Sequence, residues 1–240
     1  MAKIDKTQYT KEEWHKLREQ RRDDKLKKQL VESSSSNLNP KLRTNTNIAF
    51  VLGNGTSRAS LNPKEMQAYG KVYGCNALYR TFSADYLVAV DVKMILEINK
   101  AGYQHKNTVW TNPNKSYRNL KNFNYFNPSK GWSSGPTALW LASQHGYDKI
   151  FILGFDYKGL DDGKKLNNVY ADTANYKKST DGATFFGNWM RQTTAVIKEH
   201  PHINYYRVIQ SDNYCPEELN KFSNFRNIDI KEFRNLYGFS

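Results

Sequence analysis

Gly53-Asn54-Gly55-Thr56-Ser57 places two glycines, an amide and two hydroxyls directly after the apolar run Ile48 to Leu52. A short apolar run of this kind predicts a buried strand, and glycine at two of the next three positions lets the chain turn tightly. Backbone N–H groups turned outward beside Thr56 and Ser57 would suit a phosphate or another anion. The spacing is not the full dinucleotide fingerprint, so this motif alone does not name a ligand. A second cluster, Ser133-Ser134-Gly135 before Pro136, has the hydroxyl-and-glycine character of a helix start that can receive an anion. Carboxylates available for acid–base or metal work are Asp91, Asp156 and Asp172. Each follows an apolar run or lies in the polar stretch 167–181.

The elements that must position these groups follow from periodicity. Strands are expected at 48–53, 71–75, 85–90, 107–110, 149–154 and 204–209. Helices are expected at 62–69, 92–101, 136–146, 184–199 and 230–237. Short strands alternating with amphipathic helices predict βαβ units, hence a three-layer α/β, Rossmann-like domain with a mostly parallel sheet over 47–240. In such sheets ligands bind beyond the carboxyl ends of the strands. The residues at those exits are Asn54, Thr56, Ser57 and Arg58, then Asn76, Asp91 and Asn112, and finally Gly154-Phe155-Asp156-Tyr157. Polar groups at every exit predict one site for a small anionic ligand, most simply a nucleotide. The long polar loop from Asn167 to Asp181 carries Tyr170, Tyr176, Lys177 and Lys178, which could close over a phosphate. Aromatics interleaved with asparagine from Trp110 to Trp132 could stack a sugar or a base.

Residues 1–46 differ from the rest. They hold 12 basic and 7 acidic residues, a capping-box pattern at Thr10 to Glu13, and the Ser33–Ser36 run leading into an Asn-rich stretch. A basic, partly helical extension and linker is expected there, able to dock on a polyanion or a protein partner. The whole chain of 240 residues carries a net charge of +13, which favours anionic partners. The 16 Tyr, 12 Phe and 5 Trp offset a modest aliphatic content, so a sizeable core is available. No apolar run approaches the roughly 20 residues of a membrane span. No signal-peptide pattern opens the chain, and the two cysteines, Cys75 and Cys215, read as free thiols. A cytoplasmic location is the expectation. His145 beside Gly146 reads as structural, His200 and His202 offer no metal pattern, and no triad or HExxH motif is present.

Four blocks together carry a resemblance. Gly53-Asn-Gly-Thr-Ser57, Gly74-Cys-Asn76, Ser133-Ser-Gly135 and Ala142 to Tyr157 resemble, in order, the bacterial α-2,3-sialyltransferases of the Campylobacter type. The same blocks are similar to the MptE-like proteins, which include pterin pyrophosphokinases, and Ala84-Asp-Tyr-Leu-Val-Ala-Val-Asp91 matches those better. Short phage proteins are also similar, which would place the chain in a host cytoplasm but adds no mechanism. The sialyltransferase resemblance implies a CMP-type nucleotide sugar. Its nucleotide would be held by Gly53, Asn54, Gly55, Ser57, Asn76, Ser134 and Gly135, with Tyr170 on a phosphate and Lys158 where a second tyrosine would stand. The pyrophosphokinase resemblance implies ATP, with Mg²⁺ held by Asp91 and Asp156. Three departures from the sialyltransferase pattern stand out. Thr56 replaces a proline, Asp91 replaces an asparagine, and Thr180 to Trp189 contains no histidine where the family has its general base. Asp91, Asp172 or Asp181 would have to replace that base. The expectations are therefore a glycosyltransferase lacking the usual histidine, a Mg²⁺-dependent pyrophosphokinase, or a binding or virion-associated protein that keeps the fold without chemistry.

Overall fold

The computed structural model describes residues 47–182, 185–210 and 213–239. The expected basic helical extension at 1–46 lies outside the described residues. Eight strands form one sheet: β1 (Ile48–Leu52), β2 (Lys71–Cys75), β3 (Tyr86–Val88), β4 (Val109–Thr111), β5 (Asn124–Tyr125), β6 (Lys149–Leu153), β7 (Asn204–Ile209) and β8 (Phe225–Asp229). Their order is β5-β4-β3-β2-β1-β6-β7-β8, and every pairing between them is parallel. The helices are α1 (Pro63–Gln67), α2 (Val92–Ala101), α3 (Ser134–Gln144), α4 (Gly187–Glu199), α5 (Glu217–Asn220) and α6 (Ile230–Tyr237).

The three layers follow from strand alternation. Successive side chains of a strand point to opposite faces. Ile48, Phe50 and Leu52 of β1 accordingly join one core with Met66 of α1, Ile95 and Ile98 of α2, and Phe233 of α6. Ala49 and Val51 join the other core with Leu139 of α3, Val196 of α4 and Leu219 of α5. All five residues of β1 are buried, as expected for the middle strand of a sheet covered on both faces. The α/β, Rossmann-like fold is thus the one the periodicity predicts.

Several boundaries differ from expectation. The third strand ends at Val88, because Val90 N–H bonds the Ser134 hydroxyl (3.1 Å) rather than a neighbouring strand. α3 begins two residues early, at Ser134, leaving Pro136 inside the first turn, where its missing N–H has no intrahelical partner to lose. β5 and β8 were not anticipated. β5 is two residues long, and β8 (Phe-Arg-Asn-Ile-Asp) is an edge strand whose polar middle hides its period.

α6 closes the first core. Asp229 caps it by accepting from Lys231 N–H (2.7 Å), and Gly238 ends it with φ 66°. Its Phe233, fully buried, lies edge-on to Phe50 (6.2 Å between centroids) and tilted against Phe151 (5.2 Å). Tyr69 donates to Tyr237 O (2.6 Å) and ties the helix to the end of the α1 segment. Phe233→Ala should therefore lower unfolding free energy by about 3–5 kcal/mol. Urea titration followed by circular dichroism checks this, and a loss below about 1 kcal/mol would mean that α6 is not part of the core.

Candidate functional site

Strand order reverses at β1, with β2 on one side and β6 on the other, so the crevice above β1 and β6 is the switch point. There the two strand exits are fastened to each other. Gly53 N–H donates to Leu153 O (2.7 Å) and Gly55 N–H to Gly154 O (2.9 Å). A Cβ on Gly53 would stand 2.5 Å from Gly154 O, and one on Gly55 2.4 Å from the Asp156 carboxylate. Only glycine fits at either position. Asp156, 7% exposed, accepts from Ser57 N–H (3.1 Å) and from the Ser57 hydroxyl. Asn167 Oδ1 accepts from both Thr56 N–H (2.8 Å) and Thr56 Oγ1 (2.7 Å). The expectation of outward N–H donors at Thr56 and Ser57 is therefore corrected: both are bonded within the protein. Arg58 lies beneath the turn and donates through Nε to Gly53 O (2.5 Å) and through Nη2 to Tyr170 Oη (3.3 Å).

Above this turn opens a cleft of about 590 Å³, and Gly53, Asn54, Gly55, Asn76, Asp91 and Asp156 all line it. Ser133, Ser134 and Gly135 close the same wall. Asn76 has φ 51°, a left-handed conformation that asparagine tolerates, and its Oδ1 accepts from Ser134 Oγ (2.7 Å). Since Ser134 Oγ also accepts Val90 N–H, one buried hydroxyl braces the exits of β2 and β3 against the start of α3. Asp91 stands just outside that brace as the N-cap of α2, yet its carboxylate makes no capping bond. Its side chain reaches water, but the mass of protein around the cleft mouth raises its pKa above the ordinary carboxylate value by desolvation. A side chamber of about 270 Å³, walled by Lys93, Met94, Asn175 and Tyr176, meets the main cleft at Asp91.

Other expected residues fall elsewhere. Tyr170 is buried under the Arg58 guanidinium, 5.8 Å from its ring centroid, and does not line the cleft. Asn112 lies off the cleft as well: its carbonyl accepts from Tyr117 Oη (2.8 Å) and its Oδ1 from Ser129 Oγ (2.8 Å). Asp172 is exposed and accepts Ser179 N–H (3.0 Å), and hydrogen bonding by the Ser179 side chain and then its backbone holds the carboxyl below the usual range. Lys158 pairs with Asp162 (3.2 Å), outside the cleft. Thr56 and Ser57 support the turn from behind. Among the described histidines none lines the cleft: His145 bonds Tyr73 Oη (2.5 Å), and His200 bonds Val196 O (2.8 Å) and Gln144. Cys75 does line it, but burial pushes its thiol up to about 12 and leaves it unreactive.

The MptE-type expectation can be tested on donor groups. Among the described residues no three His, Cys, Asp or Glu side chains come together as metal ligands. The Asp156 carboxylate is spent on Ser57, so Asp91 and Asp156 do not present a free pair for Mg²⁺.

Sequence comparison adds nothing to this geometry: no family model and no curated protein matches the chain. Among solved structures, the monofunctional α-2,3-sialyltransferase Cst-I from Campylobacter jejuni superposes with a TM-score of 0.50 at 12% identity, over 75% of this chain and 82% of that one. An α-2,3-sialyltransferase from Campylobacter jejuni in apo form gives a TM-score of 0.45 at 14% identity, over 77% and 83%. The sialyltransferase CST-II, in complex with a trisaccharide acceptor and CMP, gives 0.41 at 14%, over 80% and 98%. The likeness is one of fold. At these identities it carries the Rossmann-like architecture and not an activity.

The loop from Asn167 to Asp181 was expected as a lid, and it lies docked against the turn and α2. Val169 N–H donates to Asn54 O (2.8 Å), and Tyr176 Oη accepts from Asn54 Nδ2 (3.1 Å) and Ala77 N–H (3.4 Å). The far side is held by a residue pair that sequence reasoning missed. Arg80 meets Glu97 through two bonds of 2.7 Å, then donates to Thr173 Oγ1 (2.8 Å) and Ala174 O (2.8 Å). Asn175 Nδ2 completes the clasp on Glu97 (2.6 Å). Arg80 holds the Glu97 carboxyl down at about 2. A depressed carboxyl stabilises the fold above its unfolded value and loses that contribution as pH falls toward its folded value. The loop should thus detach on acidification below about pH 4.5, toward about 2. At neutral pH, Glu97→Gln should raise the rate of tryptic cutting after Lys177 or Lys178 by about tenfold. An unchanged rate would mean that the clasp does not hold the loop.

Proposed function

We propose that the cleft binds a pyrimidine nucleotide and that the chain is a glycosyltransferase using a nucleotide-activated sugar, with Asp91 as the general base. One observation carries this reading. Of the three candidate carboxylates, Asp91 alone faces the cleft with its oxygens uncommitted, and its raised pKa suits proton abstraction. Asp156 positions the glycine turn, and Asp172 belongs to the loop's own turn.

The nucleotide would lie along the wall formed by Gly53 to Gly55, Asn76 and Ser134-Gly135. Asn76 commits its oxygen to Ser134, which keeps its amide nitrogen as a donor for a pyrimidine carbonyl or a phosphate oxygen. Tyr176 and Lys177 border the same space from the docked loop. Transfer then proceeds by attack of an acceptor hydroxyl oxygen on the anomeric carbon. The bond from that carbon to the nucleotide phosphate breaks, its electron pair leaves with the phosphate, and the acceptor proton passes to Asp91. The departures from the sialyltransferase pattern fit together in this reading: the histidine is missing from 180–189 and a carboxylate stands at 91.

Two measurements test the reading. Asn76→Ala should weaken CMP binding in titration calorimetry by about tenfold, while the melting temperature stays within a few degrees. Asp91→Asn should lower turnover by about 10²–10⁴-fold with CMP affinity nearly unchanged. Activity in the wild type should rise with pH through a limb set above the ordinary aspartate pKa, because the base works only when deprotonated. Absence of any CMP, UDP or GDP binding would leave a protein that keeps the fold without nucleotide chemistry. Full activity of Asp91→Asn would remove Asp91 from the mechanism.

A further inference from the structure

Charge is unevenly spread over the sheet. Between Glu97 and Asp148 the chain runs for 50 residues without an Asp or Glu, and six Lys or Arg lie on that stretch. One of them, Lys130, pairs with Glu199 (2.9 Å). The other five, Lys100, Lys106, Lys115, Arg118 and Lys121, are exposed, and among the described residues none of them is in an ion pair. They belong to the end of α2 and to the segments before and after β4, at the β5 edge of the sheet. The connection from β4 to β5 crosses the same face as α2, because its Tyr117 and Phe123 join the first core with Ile95 and Ile98. None of the five cations lines the cleft or its side chamber.

The backbone beneath these cations is fixed. Trp110 pairs with Asn124 across β4 and β5, and the Asn122 amide bonds His105 Nδ1 (2.7 Å), which brings their chain neighbours Lys121 and Lys106 together. Within the crossing, Asn114 Oδ1 accepts Ser116 N–H (2.8 Å). Tyr117 pegs the segment down: its Oη donates to Asn112 O (2.8 Å), and its carbonyl accepts from Tyr125 Oη (3.1 Å). Lys115 and Arg118 flank that buried ring in sequence, and both stay in water. Like charges held on one face repel each other, and a polyanion relieves the repulsion. The surface also selects the polyanion. No exposed large hydrophobic side chain lies between 98 and 147 among the described residues, so a bilayer finds nothing to take in below its headgroups. Single strands are gripped by stacking bases on exposed rings, but Tyr117 and Phe123 are buried. Between the cations stand Asn, Ser and Thr, the neutral groups that share phosphate contacts with Lys and Arg on duplex DNA. Readers of duplex RNA span about 16 base pairs over successive grooves, more than one sheet edge presents. We infer that Lys100, Lys106, Lys115, Arg118 and Lys121 form a docking surface for the phosphate backbone of double-stranded DNA. Phosphate contacts carry no base information, so the binding is independent of sequence. It is also independent of what the cleft binds.

Fluorescence anisotropy of a labelled mixed-sequence DNA duplex, titrated with the full chain, tests the surface. Affinity should fall by about 10²-fold between roughly 50 and 200 mM salt, as three to five phosphate contacts require. The variant Lys115→Ala/Arg118→Ala/Lys121→Ala should bind about tenfold more weakly or worse, with the salt slope reduced by about 2–3. Lys198→Ala/Lys221→Ala/Lys231→Ala removes the same charge from α4, the end of α5 and α6, and should cost less than about twofold. Lysine acetylation of the wild type, read by mass spectrometry, needs no variant: the duplex should protect Lys106, Lys115 and Lys121 and leave Lys198 and Lys221 reactive. Absence of that protection overturns the surface, as does an equal change of affinity in the two variants, which would make the charge a diffuse field. Tighter binding of a single strand or of duplex RNA overturns it too. So does binding of phosphatidylglycerol vesicles without binding of the duplex, which would assign the patch to a lipid surface.

Discussion

The site depends on one buried knot. Where parallel strands end, their last carbonyls lose the neighbouring strand as a partner, so the mouth of the sheet holds acceptors that need donors from elsewhere. Here the exits of β1 and β6 are the closest, joined back to back through Gly53 and Gly154. Two buried guanidiniums take up those carbonyls. Arg58 holds Gly53 O, and Arg207, 1% exposed, holds Phe155 O (2.8 Å), Asp156 O (3.5 Å) and Tyr214 O (2.9 Å). The Asp156 carboxylate between them is satisfied by Ser57 from both its N–H and its hydroxyl. Buried charges persist only when hydrogen-bonded in this way, and removing one partner leaves an uncompensated charge. The glycine turn is therefore shaped from below, and whatever binds above meets a surface whose own backbone demands are already met.

That arrangement explains which parts of the site were legible in the sequence. The glycine spacing and the buried strand before it are local facts about sterics and are found where periodicity places them, and the helix start at Ser133-Ser134-Gly135 is found two residues ahead of its expected position. The strand-exit rule likewise brings Asn54, Asn76, Asp91, Ser134 and Asp156 into one cleft. It does not say which way a side chain at an exit faces. Ser57 and Asp156 are 99 positions apart, and their bond decides that one is a brace rather than a ligand donor and the other a cap rather than a free carboxylate. Asn112 fails for a similar reason, because Tyr117 and Ser129 claim its two oxygens and it lies off the cleft. Arg207 carried no signal at all. In Asn-Tyr-Tyr-Arg-Val-Ile it reads as one polar residue in a strand near the sheet edge, and only the packed fold makes it central.

The same physics divides the cleft between the layers. The polar wall comes from the exits of β1, β2 and β3 together with the start of α3, where backbone and short polar side chains come to the surface. The aromatic wall comes from the segment before α3 and the first turns of α4, where the sheet gives way to side chains packed on the second core. Ser133 N–H, at the start of α3, donates to Gln192 Oε1 of α4 (3.1 Å), and Tyr157 Oη, beyond β6, donates to Thr193 Oγ1 of the same helix (2.8 Å), so α4 is tied both to α3 and to the exit of β6. The distance between an amide donor and an aromatic face is thereby fixed by helix packing rather than by a loop. The proposed transfer would need that property, since alignment of two reactants is lost if either half moves independently.

Electrostatics then acts at two ranges. The chain carries 36 basic and 23 acidic residues, so its far field draws anions toward it. Among the described residues lining the cleft the balance is different: Lys177 is the cation, Asp91 and Asp156 are the anions, and the other polar side chains are neutral. A phosphate arriving there would meet neutral side-chain donors such as the Asn76 amide, since the N–H groups of Gly53, Gly55, Thr56 and Ser57 are bonded within the protein. Neutral donors fix direction without fixing charge, so in the glycosyltransferase reading they would hold a nucleotide and release it without a strong ion pair to break. A net positive protein around a nearly neutral cleft therefore speeds arrival of an anion while leaving its departure easy. That combination suits a site meant to turn over more than one meant to retain its ligand.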